Sequence, residues 1–185
     1  MIIELSLERW RRAVFWDGEC PARFRGDDTI HRVIDVSGPP SEPRRVAIEL
    51  VVPVEPMIRY GLIGGEYVPA AGQHLNVDVS FVNGRSDVLP AFDSRIAYRS
   101  EVTTIGLQRE YVQGAVAGLT RAIGEGRGPG PGTLVIDCAA GGDVGSSHFM
   151  FDLLGGIVVT LLSPENVPPT ETLVRRVLTE KIGQR

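Results

Sequence analysis

Residue types that could carry acid, nucleophile and base chemistry lie close together in the C-terminal half of the chain. They are Asp137, Cys138, Asp143, Ser146, Ser147 and His148. Hydrolytic and group-transfer reactions need such groups within hydrogen-bond reach of one another. We therefore treat these six residues as candidate catalytic residues. In the structural alternative, Asp137 ends a strand and His148 begins a helix that a serine caps.

The same turn has the composition of a phosphate-binding loop. Residues 139–148 read Ala-Ala-Gly-Gly-Asp-Val-Gly-Ser-Ser-His, so glycines allow close approach and two serines supply hydroxyls. Backbone N–H groups at a helix N-terminus can cradle a phosphate. The turn resembles the Gly-Leu-Gly-Ser-Ser loop of small-molecule kinases of the galactokinase and homoserine kinase group, which implies phosphate binding. A structural turn, with Ser146 or Ser147 as the N-cap, is the interpretation that we favour.

The elements on either side must position this turn. Apolar residues recur every fourth position over 107–123, which predicts a helix with one buried face. A loop rich in glycine and proline follows over 124–132, and the apolar run Thr133–Ala139 predicts a strand. Residues 147–162 are ambiguous between helix and strand, because Gly155 and Gly156 weaken a helix. Thr170 is a plausible N-cap for a terminal amphipathic helix.

The first 105 residues are predicted to be mainly β. Apolar and polar residues alternate over 2–7, His74–Val82 and Arg95–Ile105. A strong strand is also predicted over Arg45–Val52, where every second residue from Val46 to Val52 is apolar and Glu49 is the one charged residue between them. Residues 18–45 are polar, with one short apolar run around Val33–Val36 and a breaker at Ser37–Pro43. Residues 53–72 are rich in turn-forming residues, and we expect turns around short extended pieces there. We predict an α+β fold, with a mostly antiparallel sheet and helices on one face. Residues 1–105 would form a β-rich part and 106–185 a βαβ-containing part of one continuous domain.

A family resemblance covers about residues 106–155. The helix from Arg109 to Leu119, the strand Val135-Ile136-Asp137, and Gly145-Ser146-Ser147 before Phe149-Met150-Phe151 resemble the penultimate (fourth) domain of elongation factor G. The resemblance implies a βαβ-containing α+β sandwich of the ribosomal-protein type and a link to translation. Gly145 stands where the family has an aspartate, and the segment before Ser146 is shorter. The chain contains no Gly-x4-Gly-Lys-Ser/Thr motif, which excludes GTP hydrolysis by this chain alone.

Composition limits the classes of partner. The chain has 185 residues and a net charge of −4, which opposes broad nucleic-acid binding and sequence-specific DNA binding. No run approaches the roughly 18–20 apolar residues of a membrane span, and the N-terminus lacks a signal-peptide pattern, so we expect a cytoplasmic protein without membrane contact. Cys20, Cys138 and the three histidines are too scattered to indicate a disulfide or a metal site. We expect no metal and no cofactor.

Two functional hypotheses remain open. In the first, which we favour, the chain is a non-enzymatic module that docks on a protein or ribonucleoprotein partner. Gly126, Arg127 and Gly128 would be contact residues on a basic edge. In the second, it is a small-molecule enzyme, phosphate-binding or kinase-like, that uses the turn at 137–148. Because strand edges invite pairing, we also expect a homodimer.

Overall fold

The computed structural model describes residues 1–54, 57–84, 88–166 and 169–183, which form one eight-stranded sheet and three α-helices. The strands are β1 (Ile2–Ser6), β2 (Arg12–Asp17), β3 (Asp28–Asp35), β4 (Arg44–Val54), β5 (Met57–Pro69), β6 (His74–Phe81), β7 (Thr103–Ile105) and β8 (Gly132–Gly142). The helices are α1 (Arg109–Gly124), α2 (His148–Leu162) and α3 (Glu171–Gly183). The predicted α+β class with a mostly antiparallel sheet is confirmed.

Strand β8 joins two parts of the sheet. The strand order is β1-β2-β4-β5-β8-β6-β3, with β7 paired to the end of β8. All neighbours are antiparallel except β6 and β8, which are parallel. The connection from β6 to β8 contains α1 and forms a βαβ unit. The boundary predicted at residue 105 therefore falls inside this unit, because β6 precedes it and α1 and β8 follow it.

The helices form a layer on one face of the sheet. Alternating residues of the central strands, such as Leu50, Ile63 and Leu134, are fully buried in a cluster shared with α1 and α2. Helix α2 contacts α1, α3, β4 and β5, and this cover explains why it is apolar around most of its circumference. In the described part of the chain, no helix is long and apolar enough to cross a membrane.

Helices α1 and α2 approach until their backbones touch. A Cβ atom added to Gly118 would lie 1.9 Å from the carbonyl oxygen of Asp152, and one added to Gly114 would lie 2.3 Å from that of His148. From the other side, a Cβ atom on Gly155 would lie 2.6 Å from the carbonyl oxygen of Ala115. The ambiguous segment is thus one helix, since the glycines that lower its intrinsic propensity permit this contact.

Two segments differ from the sequence prediction. The strand expected over Arg95–Ile105 is wrong for residues 95–102, because only Thr103–Ile105 is a strand and the preceding residues leave the sheet to cover its face. The turns expected over 53–72 are instead mostly one 13-residue strand, β5. Its glycines have a packing role: a Cβ atom on Gly61 would lie 2.8 Å from Leu154 Cδ1 of α2.

Side chains of the edge strand β3 form hydrogen bonds with two of its own backbone groups. Arg32 Nη1 donates to the carbonyl oxygen of His31 at 2.8 Å, and the Thr29 N–H donates to Asp28 Oδ1 at 2.8 Å. Side chains that occupy edge groups reduce pairing with another chain. Two backbone groups at the β3 edge are thus occupied within the chain, and the expected homodimer stays a prediction.

We predict that Gly118→Ala destabilises the protein by about 1–3 kcal/mol, because the methyl group would force the backbones of α1 and α2 apart. The matched control is Gly124→Ala at the end of the same helix, where an added Cβ atom meets nothing within 4 Å. The control gains only helix propensity and should stabilise the protein by at most about 1 kcal/mol. Chemical denaturation measures both; equal effects of the two variants would contradict the close contact.

Candidate functional site

The face of the sheet opposite α1 and α2, here called the outer face, carries the polar groups of interest. It has its own apolar cluster, which consists of Val14, Trp16, Ala22, Ala47, Val51, Tyr60, Leu62, Ile96, Cys138 and Ala140. Most of these lie on β2, β4, β5 and β8, whereas Ala22 and Ile96 come from the irregular segments 18–27 and 91–102. These two segments therefore act as a partial cover over the outer face.

A β-bulge in β8 brings two of the predicted site residues to the outer face. Gly65 pairs with Ile136 and Gly64 pairs with Cys138, so Asp137 is an extra residue in β8. Ile136 belongs to the cluster on the helix side and Cys138 to the outer cluster. In a regular strand these two residues would face the same side, so the bulge shifts the alternation of side chains by one residue. Asp137 accepts hydrogen bonds from Arg45 Nη1 at 2.8 Å and from Arg23 Nη2 at 3.1 Å.

The other predicted catalytic residues lie elsewhere and have structural partners or face solvent. Ser147 is the N-cap of α2, and its Oγ accepts from the Met150 N–H at 3.2 Å. The Ser146 Oγ accepts from the Gly142 N–H at 2.8 Å and donates to the carbonyl oxygen of Tyr60 at 3.0 Å. Asp143 and His148 are exposed. Within the described residues, no hydrogen bond joins Asp137 or Cys138 to the serines or to His148.

The glycine-serine turn already holds an anion from its own chain. Glu101 Oε1 accepts hydrogen bonds from the N–H groups of Val144 and Gly145, both at 2.9 Å. A Cβ atom on Gly142 would lie 2.1 Å from the same oxygen, so glycine is needed there for the carboxylate to approach. A phosphate could use these donors only by replacing Glu101.

Beside this turn, an apolar cleft of about 340 Å³ opens on the outer face. Its lining residues are Val51, Met57, Ile58, Tyr60, Tyr98, Ser100, Glu101 and Val144. The guanidinium carbon of Arg12 lies 5.2 Å from the centre of the Tyr98 ring, a cation–π contact that supports one wall. The bonds of Glu101 to the turn support another.

A buried carboxyl group fixes the Tyr60 wall of the cleft. Glu49 is fully buried, and its Oε1 accepts hydrogen bonds from the Tyr60 hydroxyl at 3.0 Å and from the Ser94 hydroxyl. Its Oε2 is buried and has no hydrogen-bond partner in the described part of the chain. Burial raises the pKa of Glu49, although the bonds from Ser94 and Tyr60 and the nearby charge of Arg95 oppose this shift. Burial also raises the pKa of Tyr60.

Sequence reasoning missed Glu49, Arg45 and Cys20. Tyr60 lies in the glycine-rich stretch Tyr60–Tyr67, which on sequence grounds can line a ligand pocket, although plain turns between strands are the favoured interpretation. Glu49 lies on the opposite side of β4 from Ile48 and Leu50, and the alternation alone does not tell whether that side is buried. The available signal was that its neighbours on that face, Ala47 and Val51, are apolar, as is Trp16 on the adjacent strand. A face with that composition needs a cover, and a glutamate on it becomes buried.

The predicted contact residues border a second, polar cleft of about 330 Å³. Gly126 and Arg127 line it together with residues of the α2 C-terminus and α3, and Gly128 packs close to Ile123. The expected basic edge is instead of mixed charge. Its charged lining residues are Arg127, Glu165, Arg176 and Glu180, and Glu125 lies 3.6 Å from Arg127 Nε.

Comparisons of the chain with family models, with curated proteins and with solved structures found no match. Among the described residues, no group of three or more His, Cys, Asp and Glu side chains could hold a metal ion. The elongation-factor resemblance therefore stays a prediction.

We predict that Glu49 makes the wild-type protein less stable as pH rises. Because its pKa is raised in the folded state, folded Glu49 binds its proton more tightly than unfolded Glu49 does. The tighter proton binding stabilises the folded state. This contribution is fully present below the unfolded pKa of about 4.3 and is lost as pH rises through the folded pKa. The free energy of unfolding of Glu49→Gln relative to wild type should therefore increase over this window. The exposed Glu180→Gln is the control, and a pH-independent difference for Glu49→Gln would contradict the prediction.

We predict that Glu101→Ala exposes the amides of Val144 and Gly145 to solvent, because their acceptor is removed. Hydrogen exchange followed by NMR should be faster at these two amides than in wild type. Glu165→Ala, which removes a carboxylate at the polar cleft, should leave them unchanged. Unaltered protection in Glu101→Ala would mean that another group holds the turn.

Proposed function

We propose that the protein is a non-enzymatic interaction module that binds one bulky apolar side chain of a protein partner in the cleft. The observation that carries the proposal is the exposure of large apolar side chains around a single opening. Met57, Ile58 and Tyr98 are 37–40% exposed and Val144 is 66% exposed, and all four line the cleft. Single exposed apolar residues are common, but a contiguous group marks a binding surface.

The dimensions of the cleft favour a side chain over a larger ligand. Its volume of about 340 Å³ is at the low end of small-molecule sites, which span about 300–1,000 Å³. The walls are held in advance by the Arg12–Tyr98 contact and the Tyr60–Glu49 hydrogen bond. Preorganised walls lower the entropic cost of binding. Met57, which is flexible and polarizable, can adapt to the shape of the incoming group.

The charge distribution favours a protein over a ribonucleoprotein. Binding to RNA phosphates requires a basic surface, whereas acidic and basic residues alternate around the polar cleft at the predicted contact loop. The parallel β6–α1–β8 unit supports the elongation-factor resemblance at the level of fold. A partner in the translation machinery is what that resemblance implies, and it remains part of the proposal.

The enzymatic alternative has less support. Its glycine-serine turn would need open N–H donors and hydroxyls, but Glu101 occupies two donors and both serines make structural hydrogen bonds. The candidate acids and bases do not converge at the turn. A phosphate-binding function would require the segment that carries Glu101 to move away first.

A titration with model side chains tests the proposal. We predict that N-acetyl-leucine amide and N-acetyl-tryptophan amide shift the NMR signals of cleft residues in ¹⁵N-labelled protein. Val144→Glu should weaken binding about tenfold or more, which corresponds to about 1.4 kcal/mol, because it places a charge at the rim. Val33→Glu on β3 is the matched control, since Val33 is 67% and Val144 66% exposed.

Each outcome of the titration is informative. Shifts confined to the cleft, reduced by Val144→Glu and retained in Val33→Glu, would support the side-chain site. Shifts spread over all exposed apolar residues, or equal binding by the two variants, would overturn it.

A further inference from the structure

The two cysteines of the chain meet on the outer face, although they lie far apart in the sequence. The segment that follows Cys20 pairs with β8 at the bulge: the Phe24 N–H donates to the carbonyl oxygen of Asp137 at 3.0 Å, and the Ala139 N–H donates to that of Ala22 at 3.0 Å. Arg23 forms an antiparallel bridge with Cys138. This pairing fixes residues 22–24 beside the strand that carries Cys138, and so limits where the preceding residue Cys20 can lie.

The thiol of Cys20 is held above the central strands. Its Sγ contacts the carbonyl oxygen of Val46 at 3.8 Å, and the next residue of β4, Ala47, pairs with Gly64, which in turn pairs with Cys138. Gly64 places no side chain on the outer face between them. Cys20 accordingly packs against the apolar cluster that contains Cys138.

The two thiols differ in exposure and in acidity. Cys20 is partly exposed, whereas Cys138 is fully buried. The neighbouring Cys138 thiol and the Arg45 guanidinium lower the pKa of Cys20 against the effect of burial. Burial, and then the neighbouring Cys20 thiol, raises the pKa of Cys138. The accessible thiol is thus the one that ionises more readily, and the thiolate is the reactive form of cysteine.

Arg45 is fixed beside Cys20 by two carboxylates. Its Nη1 donates to Asp137 Oδ1 at 2.8 Å and its Nη2 donates to Glu66 Oε2. The β-bulge lets two consecutive residues, Asp137 and Cys138, both face the outer side of the sheet, so it brings Cys138 and the anchor of Arg45 together. These residues come from β4, β5 and β8 and form one cluster around the thiol pair.

We propose that Cys20 and Cys138 are a redox-active pair that hydroperoxides oxidise to an intramolecular disulfide. In the first step Cys20 releases its thiol proton to water, and the thiolate sulfur attacks the terminal –OH oxygen of the hydroperoxide. The O–O bond breaks, and the departing alkoxide or hydroxide takes up one proton, which balances the proton that Cys20 released. Cys20 becomes a sulfenic acid. In the second step Cys138 loses its proton, its sulfur attacks Cys20 Sγ, and the hydroxide that leaves Cys20 combines with that proton to form water. Overall, two thiols and one hydroperoxide give a disulfide, an alcohol or water, and water.

The wild-type protein provides the first test. After reduction, treatment with one equivalent of hydrogen peroxide should remove two hydrogens from the intact mass. A non-reducing peptide map should contain a Cys20–Cys138 cross-linked peptide. A map without this peptide, or with only intermolecular Cys20 cross-links, would overturn the proposal.

Single-cysteine variants test the order of the steps. In Cys138→Ser, dimedone should label a sulfenic acid on Cys20, because the second thiol is absent. Cys20→Ser should consume peroxide at least about tenfold more slowly and gain no label on Cys138. Labelling of Cys138 at the wild-type rate would contradict the assigned roles. The wild-type peptide map decides the question if either variant fails to fold.

The positioning role of Arg45 has its own readout. In Arg45→Met the pH profile of Cys20 alkylation by iodoacetamide should move to higher pH, because the cation that favours the thiolate is removed. Arg23→Met is the matched control: Arg23 also binds Asp137, yet it is not among the groups that act on Cys20. Superimposable profiles for the two variants would remove Arg45 from the site.

Discussion

The backbone contact between α1 and α2 is the constraint on which the other layers depend. Because positions 114, 118 and 155 are glycines, the backbones of the two helices lie in direct contact, with no side chain between them at these positions. Helix α2 can then lie against α1 and against β4 and β5 at the same time. The first turn of α2 follows the Gly142–Ser147 segment directly. The position of α2 against α1 and the sheet therefore also determines where the glycine-serine turn and the adjoining rim of the cleft lie.

The two faces of the sheet are stabilised in different ways. The helix face is a continuous apolar core, while the outer face combines a smaller apolar cluster with a few strong polar contacts. Glu49 holds Tyr60 and the segment carrying Ser94, and Glu101 ties the same irregular stretch to the turn. The irregular segments that cover the outer face are attached to it at only a few points. Openings remain between such loops, whereas a layer of packed helices would close them, so the outer face can bind a partner.

Periodicity predicted α1 and β6, each of which has one apolar and one polar side. It also located β4, although both faces of that strand are buried, because its apolar run contains no glycine. Strand β5 was missed because its glycines, which resemble turn residues, allow close contact with α2 and with neighbouring strands. The candidate site was only partly foreseen: the turn was recognised, but the burial of Glu49 and the meeting of Cys20 with Cys138 depend on how distant segments fold over the outer face.

The position of β8 has a consequence for biosynthesis. It pairs with β5 on one side and with β6 on the other, yet among the strands of the described residues it is the last to leave the ribosome. Until then, β1, β2, β4 and β5 can form one antiparallel sheet and β3 and β6 a separate pair, each with an open edge. Long-range strand pairing of this kind forms slowly, and until it forms the unpaired strand edges can associate with other chains. Before residues 132–142 are synthesised, the nascent chain can form only two separate parts of the sheet, and β8 is the strand that joins them.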